Sequence, residues 1–336
     1  MNRYKKINVG IIGLGVGEAH LKSYREIPNV EVVSICDLDT KKLDLIGKKY
    51  NIERRFLDSK KITEDPEVDV VSICSYDNFH AEQLISCFKN GKHVMVEKPV
   101  VLFKSEAESV IREWKDSKCK ITSNLILRQS PRFINLKKMI KNGDYGTIYH
   151  IEGDYLHNIL HKITEGWRGK MSFYSTVYGG GIHLIDLMRW LMEDEIKEVC
   201  ALGNNILTRN TSYNFPETMT ALFKFLNGAT GKSTSTFGPK RTKFHSLNVY
   251  GTKRTFVNHT GNAEIFIGDS NEDMSLDKSV YPGFLKGDLL PEFIDSIRKN
   301  IDQNVTGEDI FRVMDVCFAI NESYSKKKTV DVSYIL

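Results

Sequence analysis

Residues 7–20 have the sequence INVGIIGLGVGEAH, in which an apolar run leads into a glycine-rich turn and then into a helical pattern. The unalternated apolar run predicts a strand that is buried on both faces, as in a parallel sheet with helices on each side. Glycines in the turn let a pyrophosphate approach the backbone, where the N–H groups and the dipole of the next helix meet it. The stretch therefore predicts a nucleotide-binding strand–turn–helix unit.

The candidate cofactor-binding residues of this turn are Gly13, Gly15, Val16 and Gly17. An acid, Asp37, ends the next predicted strand, where it can accept hydrogen bonds from both ribose hydroxyls and repel a 2′-phosphate. Any tight turn can use glycines, and Asp37 can also begin an ordinary Asp-rich turn. Strand, loop, helix, strand and acid together favour dinucleotide binding, with NAD preferred over NADP.

The alternation of apolar runs and helical patterns continues outward from this turn for the first third of the chain. It predicts a doubly wound α/β domain with strands at Ile7–Ile12, Val30–Cys36, Val68–Cys74, His93–Glu97 and Ile121–Leu127. Longer strands follow, including a hairpin at Phe225–Ala229 whose Asn-Gly pair suits a type I′ turn. They indicate an α+β domain with a mostly antiparallel sheet. We expect two domains, residues 1–124 and 125–336.

Composition excludes several classes of protein. The 336 residues include 47 Lys+Arg and 43 Asp+Glu, which gives a net charge of +4. This small charge, with its basic residues scattered along the chain, argues against a nucleic-acid partner. No apolar stretch approaches the roughly 20 residues that span a bilayer, so no membrane partner is expected. Six separated cysteines without a CxxC pair predict a reducing, cytoplasmic compartment with no metal site and no disulfide framework.

Polar residues follow two further predicted strands at the edge where such sheets bind ligands. Ser75, Asn78 and His80 follow one strand, and cofactor contact and an ordinary helix start explain them equally well. Glu97 and Lys98, two further candidate cofactor-binding residues, follow the next strand. A lysine there points into the crevice, and partial desolvation lowers its pKa and makes it a workable proton donor. Position and neighbours favour this role over that of a solvated lysine.

The second domain contains a glycine triplet, residues 179–181, followed by His183 and Asp186 on one face of a predicted helix. The glycines permit close approach of a ligand, and a histidine beside a carboxylate can act as a general acid or base. A lone histidine at a helix start is more often a packed or capping residue. Substrate contacts are expected from Arg128, Tyr155, His157, Trp167 and Arg168. Arg168 is the strongest of these, because a guanidinium grips a carboxylate or a phosphate.

These motifs, together with GKHVMVEKP at residues 91–99, resemble the Gfo/Idh/MocA family of nicotinamide-dependent oxidoreductases over nearly the whole chain. The resemblance implies an N-terminal Rossmann domain and a C-terminal domain with a large open sheet that forms a homodimer or homotetramer. It implies hydride exchange between NAD(P) and a carbon of a sugar, sugar nucleotide or inositol-like polyol. By the same resemblance, Lys98 is the catalytic acid/base, His183 its partner, and Asp186 orients His183 or touches substrate.

The sequence departs from the family pattern at three places. The glycine loop is one residue shorter between Gly15 and His20, and Ser-Tyr-Asp at residues 75–77 replaces the more usual Thr-Pro-Asn. Gly179 stands where many members carry an Asp, so that Lys98 and His183 must suffice, or Tyr178, Tyr155 or His157 contributes. Two other functions remain open, a dinucleotide-binding sensor without turnover and an NAD-dependent glycoside hydrolase.

Overall fold

The computed structural model describes residues 6–336, apart from the side chain of Asn271. The strands are β1 (Ile7–Ile12), β2 (Val30–Cys36), β3 (Arg54–Phe56), β4 (Val70–Ile73), β5 (His93–Val96), β6 (Ile121–Ser123), β7 (Ile148–Leu156), β8 (Ile196–Asn204), β9 (Thr218–Phe225), β10 (Thr230–Thr236), β11 (Phe244–His245), β12 (Asn248–Gly251), β13 (Thr255–Val257), β14 (Ala263–Phe266), β15 (Met274–Asp277) and β16 (Val330–Asp331). The helices are α1 (Gly17–Arg25), α2 (Thr40–Lys49), α3 (Lys60–Thr63), α4 (His80–Lys89), α5 (Lys104–Ser117), α6 (Pro131–Lys141), α7 (Leu160–Thr164), α8 (Ile182–Met192), α9 (Leu290–Lys299) and α10 (Gly307–Lys326).

The first sheet has six strands in the order β3-β2-β1-β4-β5-β6, and every neighbouring pair is parallel. This order reverses direction between β1 and β4, the switch point at which doubly wound sheets bind nucleotides. The predicted doubly wound domain is therefore confirmed. Strand β3 was not predicted, because three half-buried residues carry no apolar run.

The core of the first unit is apolar on both sides of its sheet. Val9 and Ile11 of β1 and Val70 of β4 are completely buried, and the core that contains them also contains Leu21 of α1 and Phe293 of α9. The contacts assign residues 6–126 and 285–311 to this unit, and residues 127–284 and 312–336 to a second one. The first change of unit lies two residues beyond the predicted division at 124/125, and the return of residues 285–311 was not part of that prediction.

The second sheet is mostly antiparallel, as predicted. Its order is β15-β14-β13-β12-β7-β10-β9-β8-β16, with β11 paired to β7, and only β7 and β10 run parallel. Strand β9 alternates, with Met219, Ala221, Phe223 and Phe225 buried. One face of the sheet therefore covers a core, and helix α8 packs on β7.

The hairpin between β9 and β10 is confirmed, but the predicted type I′ turn is wrong. Type I′ requires positive φ at both central residues, and only Gly228, at φ +91°, has it. The Asn227 side chain instead accepts a hydrogen bond from the Ala229 N–H at 2.8 Å, and the Phe225 N–H donates to the Ala229 carbonyl. The turn is a three-residue loop that ends in a left-handed glycine.

No helix within residues 6–336 is both long and apolar enough to cross a membrane. The six cysteines are free thiols, all of them buried or half-buried. In the described part of the chain, no group of three or more His, Cys, Asp or Glu side chains is placed to hold a metal ion.

Candidate active site

The glycine turn joins β1 to α1. Some of its glycines are required by the packing of the fold, and one leaves open space for a ligand. Gly13 has φ +85°, and a Cβ there would overlap the Cys74 carbonyl, so the fold itself requires this glycine. A Cβ on Gly15 would meet nothing within 4 Å. Open space therefore lies at Gly15, two residues before helix α1, as a bound pyrophosphate requires. A Cβ on Gly17 would lie 2.9 Å from the Ile11 side chain, so this glycine permits close packing of helix on strand.

Asp37 holds the same turn from the end of β2. Its Oδ2 accepts a hydrogen bond from the Leu14 N–H at 2.7 Å, and its Oδ1 accepts one from the Asp39 N–H at 2.9 Å. The side chain is 11% exposed, and the Lys42 ammonium lies 3.6 Å away. Both interpretations of Asp37 hold geometrically, since it shapes its own turn and also presents a carboxylate beside the glycine loop. Open space, helix start and acid together fit NAD.

The segment after β4 is tied to the segment after β5 by His80. Its Nδ1 lies 2.8 Å from the Pro99 carbonyl and its Nε2 lies 3.3 Å from the Ser75 carbonyl. The Ser75 hydroxyl donates to Gln83 Oε1 at 2.7 Å, and Asn78 is exposed. The completely buried His80 therefore positions the two loops that carry the candidate cofactor residues.

Glu97 and the half-buried Lys98 directly follow strand β5, and Glu97 lies beside His20, a buried histidine that sequence analysis did not select. His20 of α1 places Nε2 at 3.4 Å from Glu97 Oε1 and Nδ1 at 2.8 Å from the Ser72 hydroxyl. Asn124 donates to the same Glu97 oxygen at 2.9 Å. The one signal for His20 was its position three residues after the glycine turn.

The charges of this pair stabilise each other. Burial raises the pKa of Glu97, but hydrogen bonding and charge from His20, together with the Lys98 charge and the Asn124 amide, outweigh it and lower the pKa to about 2. Burial lowers the pKa of His20, while contacts with Cys74 and Glu97 more than offset it and raise the pKa to about 10. At neutral pH the pair is therefore an ion pair beside Lys98.

In the second unit, the glycine triplet forms a π-helical turn, Val177–Gly181, that leads directly into α8. A Cβ on Gly179 would overlap the Tyr174 hydroxyl, and a Cβ on Gly180 would overlap the Tyr155 ring. The glycines therefore permit close packing of the turn on these tyrosines. Tyr174 occupies the space that an aspartate at position 179 would need.

Tyr155 of β7 is the centre of a cluster of polar and aromatic side chains. Its hydroxyl lies 2.9 Å from His157 Nδ1, and its ring stacks on His183 at 6.2 Å and contacts His245 at 5.5 Å between centroids. The Lys243 ammonium lies 5.6 Å from the centre of the Tyr155 ring. Sequence analysis selected the first three residues and missed His245 and Lys243, because a two-residue strand such as β11 has no recognisable pattern.

His245 is held by Tyr281, whose hydroxyl lies 2.9 Å from both the His245 backbone N–H and Nδ1. Burial, reinforced by the charge of Lys243 and by His157, lowers the pKa of His245 to about 3. The imidazole is therefore neutral at physiological pH and serves as a hydrogen-bonding and stacking group.

Trp167 and Arg168 begin a short 3₁₀ turn, Trp167–Lys170. The Arg168 guanidinium lies over two aromatic rings. Arg168 Cζ is 4.3 Å from the centre of the Trp167 ring and 5.8 Å from that of Tyr174. Its Nε is buried, with no hydrogen-bond partner among the described residues. Burial raises the pKa of Tyr155, and the charge of Arg168 opposes that rise.

Arg128 and Asp186 bind each other. Arg128 donates from Nε to Asp186 Oδ2 at 2.9 Å and from Nη2 to Oδ1 at 2.6 Å, and both side chains are at most 2% exposed. Such a bidentate pair fixes both groups. It gives a structural alternative to the predicted roles of Arg128 in substrate binding and of Asp186 in orienting His183.

Several known proteins are similar to this chain. A myo-inositol 2-dehydrogenase of Thermotoga maritima is 25% identical, with 98% of this chain and all of that protein aligned. A glucose-6-phosphate 3-dehydrogenase of Bacillus subtilis is 25% identical over 77% of this chain and 76% of its own length. The structure of a levoglucosan dehydrogenase in complex with NADH superposes with a TM-score of 0.88 at 22% identity, covering 98% of this chain and all of the other.

Family models account for most of the chain. Residues 7–125 match the model described as oxidoreductase family, NAD-binding Rossmann fold, and residues 133–257 match the Gfo/Idh/MocA C-terminal domain. The first match spans all six strands of the first sheet, and the second spans strands β7 to β13 of the second sheet. The chain therefore belongs to the Gfo/Idh/MocA family of oxidoreductases, and its N-terminal domain is an NAD-binding Rossmann domain.

Proposed function

We propose that this NAD-dependent oxidoreductase interconverts a secondary alcohol and a ketone on a sugar, sugar nucleotide or inositol-like polyol. The observation that carries the proposal is Lys98, half-buried at the end of β5 and next to the His20–Glu97 ion pair. The names of the relatives, which act on inositol, a sugar phosphate and levoglucosan, support this substrate class.

Lys98 is the proposed acid/base. In the oxidative direction its neutral amine takes the hydroxyl proton, and in the reductive direction its ammonium returns it to the carbonyl oxygen. Bound NAD supplies the hydride acceptor. Glu97, fixed by His20 and Asn124, holds the neighbouring backbone in place. In the second unit, Tyr155, His157 and His183 are the proposed contacts for the hydroxyls of the substrate.

Exchanging Lys98 for Met tests this function. Removing a positioned acid/base lowers turnover by about 10²- to 10⁴-fold, whereas the NAD turn is untouched. We expect Lys98→Met to lose NADH formation at 340 nm with pooled sugars, inositols and sugar nucleotides, while NADH titration by fluorescence gives an unchanged Kd. The control is Lys89→Met, an exposed exchange on α4. Undiminished turnover in Lys98→Met contradicts the assignment.

A further inference from the structure

His245 is a buried histidine of which only one ring nitrogen is engaged. It lies on the short strand β11, which pairs with β7, and the residue is 3% exposed. Its hydrogen bonds with residues 6–336 engage the backbone N–H, the carbonyl oxygen and Nδ1. None of these hydrogen bonds engages Nε2. A polar nitrogen withdrawn from bulk water and left without a hydrogen bond costs free energy, and a ligand oxygen offsets that cost.

Tyr281 determines which of the two ring nitrogens carries the proton. Its hydroxyl oxygen accepts a hydrogen bond from the His245 backbone N–H at 2.9 Å. The hydroxyl proton then has two acceptors within reach, His245 Nδ1 at 2.9 Å and the His245 carbonyl oxygen at 3.4 Å. The shorter contact favours donation to Nδ1, which makes Nδ1 the acceptor. In the neutral imidazole the proton is therefore on Nε2.

The surroundings of His245 keep its imidazole neutral. Burial is the largest cause that lowers the pKa of His245 to about 3, and electrostatic repulsion by Lys243 and His157 acts in the same direction. The Nε2–H group is therefore a neutral donor near physiological pH.

The Tyr281–His245 contact is supported from behind by two buried residues, Arg132 and Asn258. The Arg132 guanidinium lies 5.1 Å from the centre of the Tyr281 ring and donates to Asn258 Oδ1 at 2.9 Å. Asn258 in turn donates to the His245 carbonyl oxygen at 2.8 Å. These contacts fix the ring of His245, as a group that orients a substrate requires.

The ring of His245 adjoins the proposed substrate contacts of the second unit. Its centroid lies 5.5 Å from that of Tyr155 and 6.5 Å from that of His183. The Tyr155 hydroxyl contacts His157, which is half-buried and brings this cluster to the surface. His245 therefore joins the same group of side chains from a separate strand.

We propose that His245 is a further substrate-binding residue, whose Nε2–H donates a hydrogen bond to a hydroxyl or carbonyl oxygen of the substrate, and that Tyr281 is its positioning residue. The proposal rests on the proposed function, because it adds one contact to that same substrate. A neutral donor recognises an acceptor, so the substrate group at this place is an oxygen. An ammonium group only donates, so an amino sugar that places its ammonium there is expected to be rejected.

The position of the proton is tested without any substrate. Nitrogen NMR is recorded on protein labelled at its histidine rings and saturated with NADH, and the His245 signals are identified by their loss in His245→Gln. We expect a protonated Nε2 and an unprotonated Nδ1 in the wild type near neutral pH. In Tyr281→Phe, which lacks the hydroxyl, we expect a mixture of the two tautomers. A proton on Nδ1 of the wild type overturns the proposal.

The binding test uses neutral probes and does not depend on turnover. myo-Inositol, glucose and levoglucosan are titrated calorimetrically into the protein saturated with NADH. Loss of one neutral hydrogen bond weakens binding by about fivefold, and we expect this loss in His245→Leu. His245→Gln keeps an N–H donor at the place of Nε2 and is expected to recover most of the affinity. His161→Leu changes an exposed histidine of the same unit and is expected to bind like the wild type.

Analogues that each lack one hydroxyl locate the contact. For the deoxy analogue without the contacted hydroxyl, His245→Leu is expected to change the affinity by less than about twofold, whereas the other analogues keep the loss of about fivefold. An equal loss for every analogue shows an indirect effect on the fold and overturns the direct contact. Thermal unfolding and NADH titration of each variant verify that fold and cofactor binding are intact.

Kinetics separate this proposal from the proposed function. With a substrate that the wild type oxidises, His245→Leu is expected to raise KM by about fivefold and to change kcat less. Unchanged affinity and KM in His245→Leu overturn the role of His245 and leave the dehydrogenase function standing. Binding of a probe that depends on His245, without Lys98-dependent turnover, overturns the dehydrogenase function alone. A wild type that binds none of the probes overturns the substrate class and, with it, the role of His245.

Discussion

At Gly13 and Gly15, two glycines of one turn are required for different physical reasons. A Cβ at Gly13 would overlap Cys74 in a left-handed backbone, whereas a Cβ at Gly15 would project into open space. We expect Gly15→Ala to change the free energy of unfolding by less than about 0.5 kcal/mol and to weaken NADH binding at least severalfold, because its methyl group occupies the space of the pyrophosphate. Gly13→Ala is expected to destabilise the fold by about 1–3 kcal/mol. Urea unfolding and NADH titration measure the two effects, and wild-type affinity in Gly15→Ala would contradict this assignment.

The His20–Glu97 pair makes stability depend on pH at both ends of the scale. The pKa of Glu97 is depressed to about 2, so its contribution is present above its unfolded value and is lost as pH falls from about 4.5 toward 2. The pKa of His20 is raised to about 10, so its contribution is present below about 6.5 and is lost as pH rises toward 10. Both contributions are present between about pH 4.5 and pH 6.5. We therefore expect the free energy of unfolding to fall as the pH moves below or above this interval.

In a His20→Gln variant the alkaline part of this decline should be reduced, because the titrating imidazole is absent. Urea unfolding at intervals between pH 4 and pH 10 measures both profiles. The exposed His161→Gln exchange is the control, and it should follow the wild type. Parallel profiles for wild type and His20→Gln above pH 6.5 would argue against a charged His20.

At the scale of the elements, the Arg128–Asp186 pair joins the 3₁₀ turn Ile126–Gln129 to helix α8. Removing one partner of a buried ion pair leaves the other charge uncompensated, which costs about 3–5 kcal/mol. We expect Asp186→Asn to lower the free energy of unfolding by about that amount, measured by urea denaturation. The exposed Asp302→Asn exchange should change it by less than about 0.5 kcal/mol. Unchanged stability with lost turnover in Asp186→Asn would instead favour the catalytic role.

For the whole molecule, the second sheet offers a surface for the homo-oligomer that the resemblance implies. Leu202 of β8 is 77% exposed and Leu222 of β9 is 57% exposed, on the face opposite the buried Ala221 and Phe223. We propose that copies of the chain associate through this face, since exposed apolar side chains on a sheet favour burial against a partner. Leu202→Glu/Leu222→Glu is expected to reduce the mass measured by light scattering to that of a monomer. Leu45→Glu, a comparably exposed exchange on α2, should leave the mass unchanged.

Sequence alone determined the elements whose chemistry is local. The apolar run at Ile7–Ile12, the glycine turn and Asp37 predicted a parallel sheet and an NAD-binding domain, because burial on both faces and a helix N-terminus follow directly from residue type and order. The family assignment followed from the order of such motifs. Lys98 was selected for the same reason, since the end of a central parallel strand has a fixed position in the fold.

Only the tertiary structure decided which side chains meet across long stretches of sequence. It brought His20 to Glu97, paired Arg128 with Asp186, and placed Lys243 and His245 against Tyr155. It also showed that Tyr174 fills the space beside Gly179. These contacts arise from strand order and helix packing, which depend on the summed burial of the whole chain and leave no periodic pattern in the residues that make them.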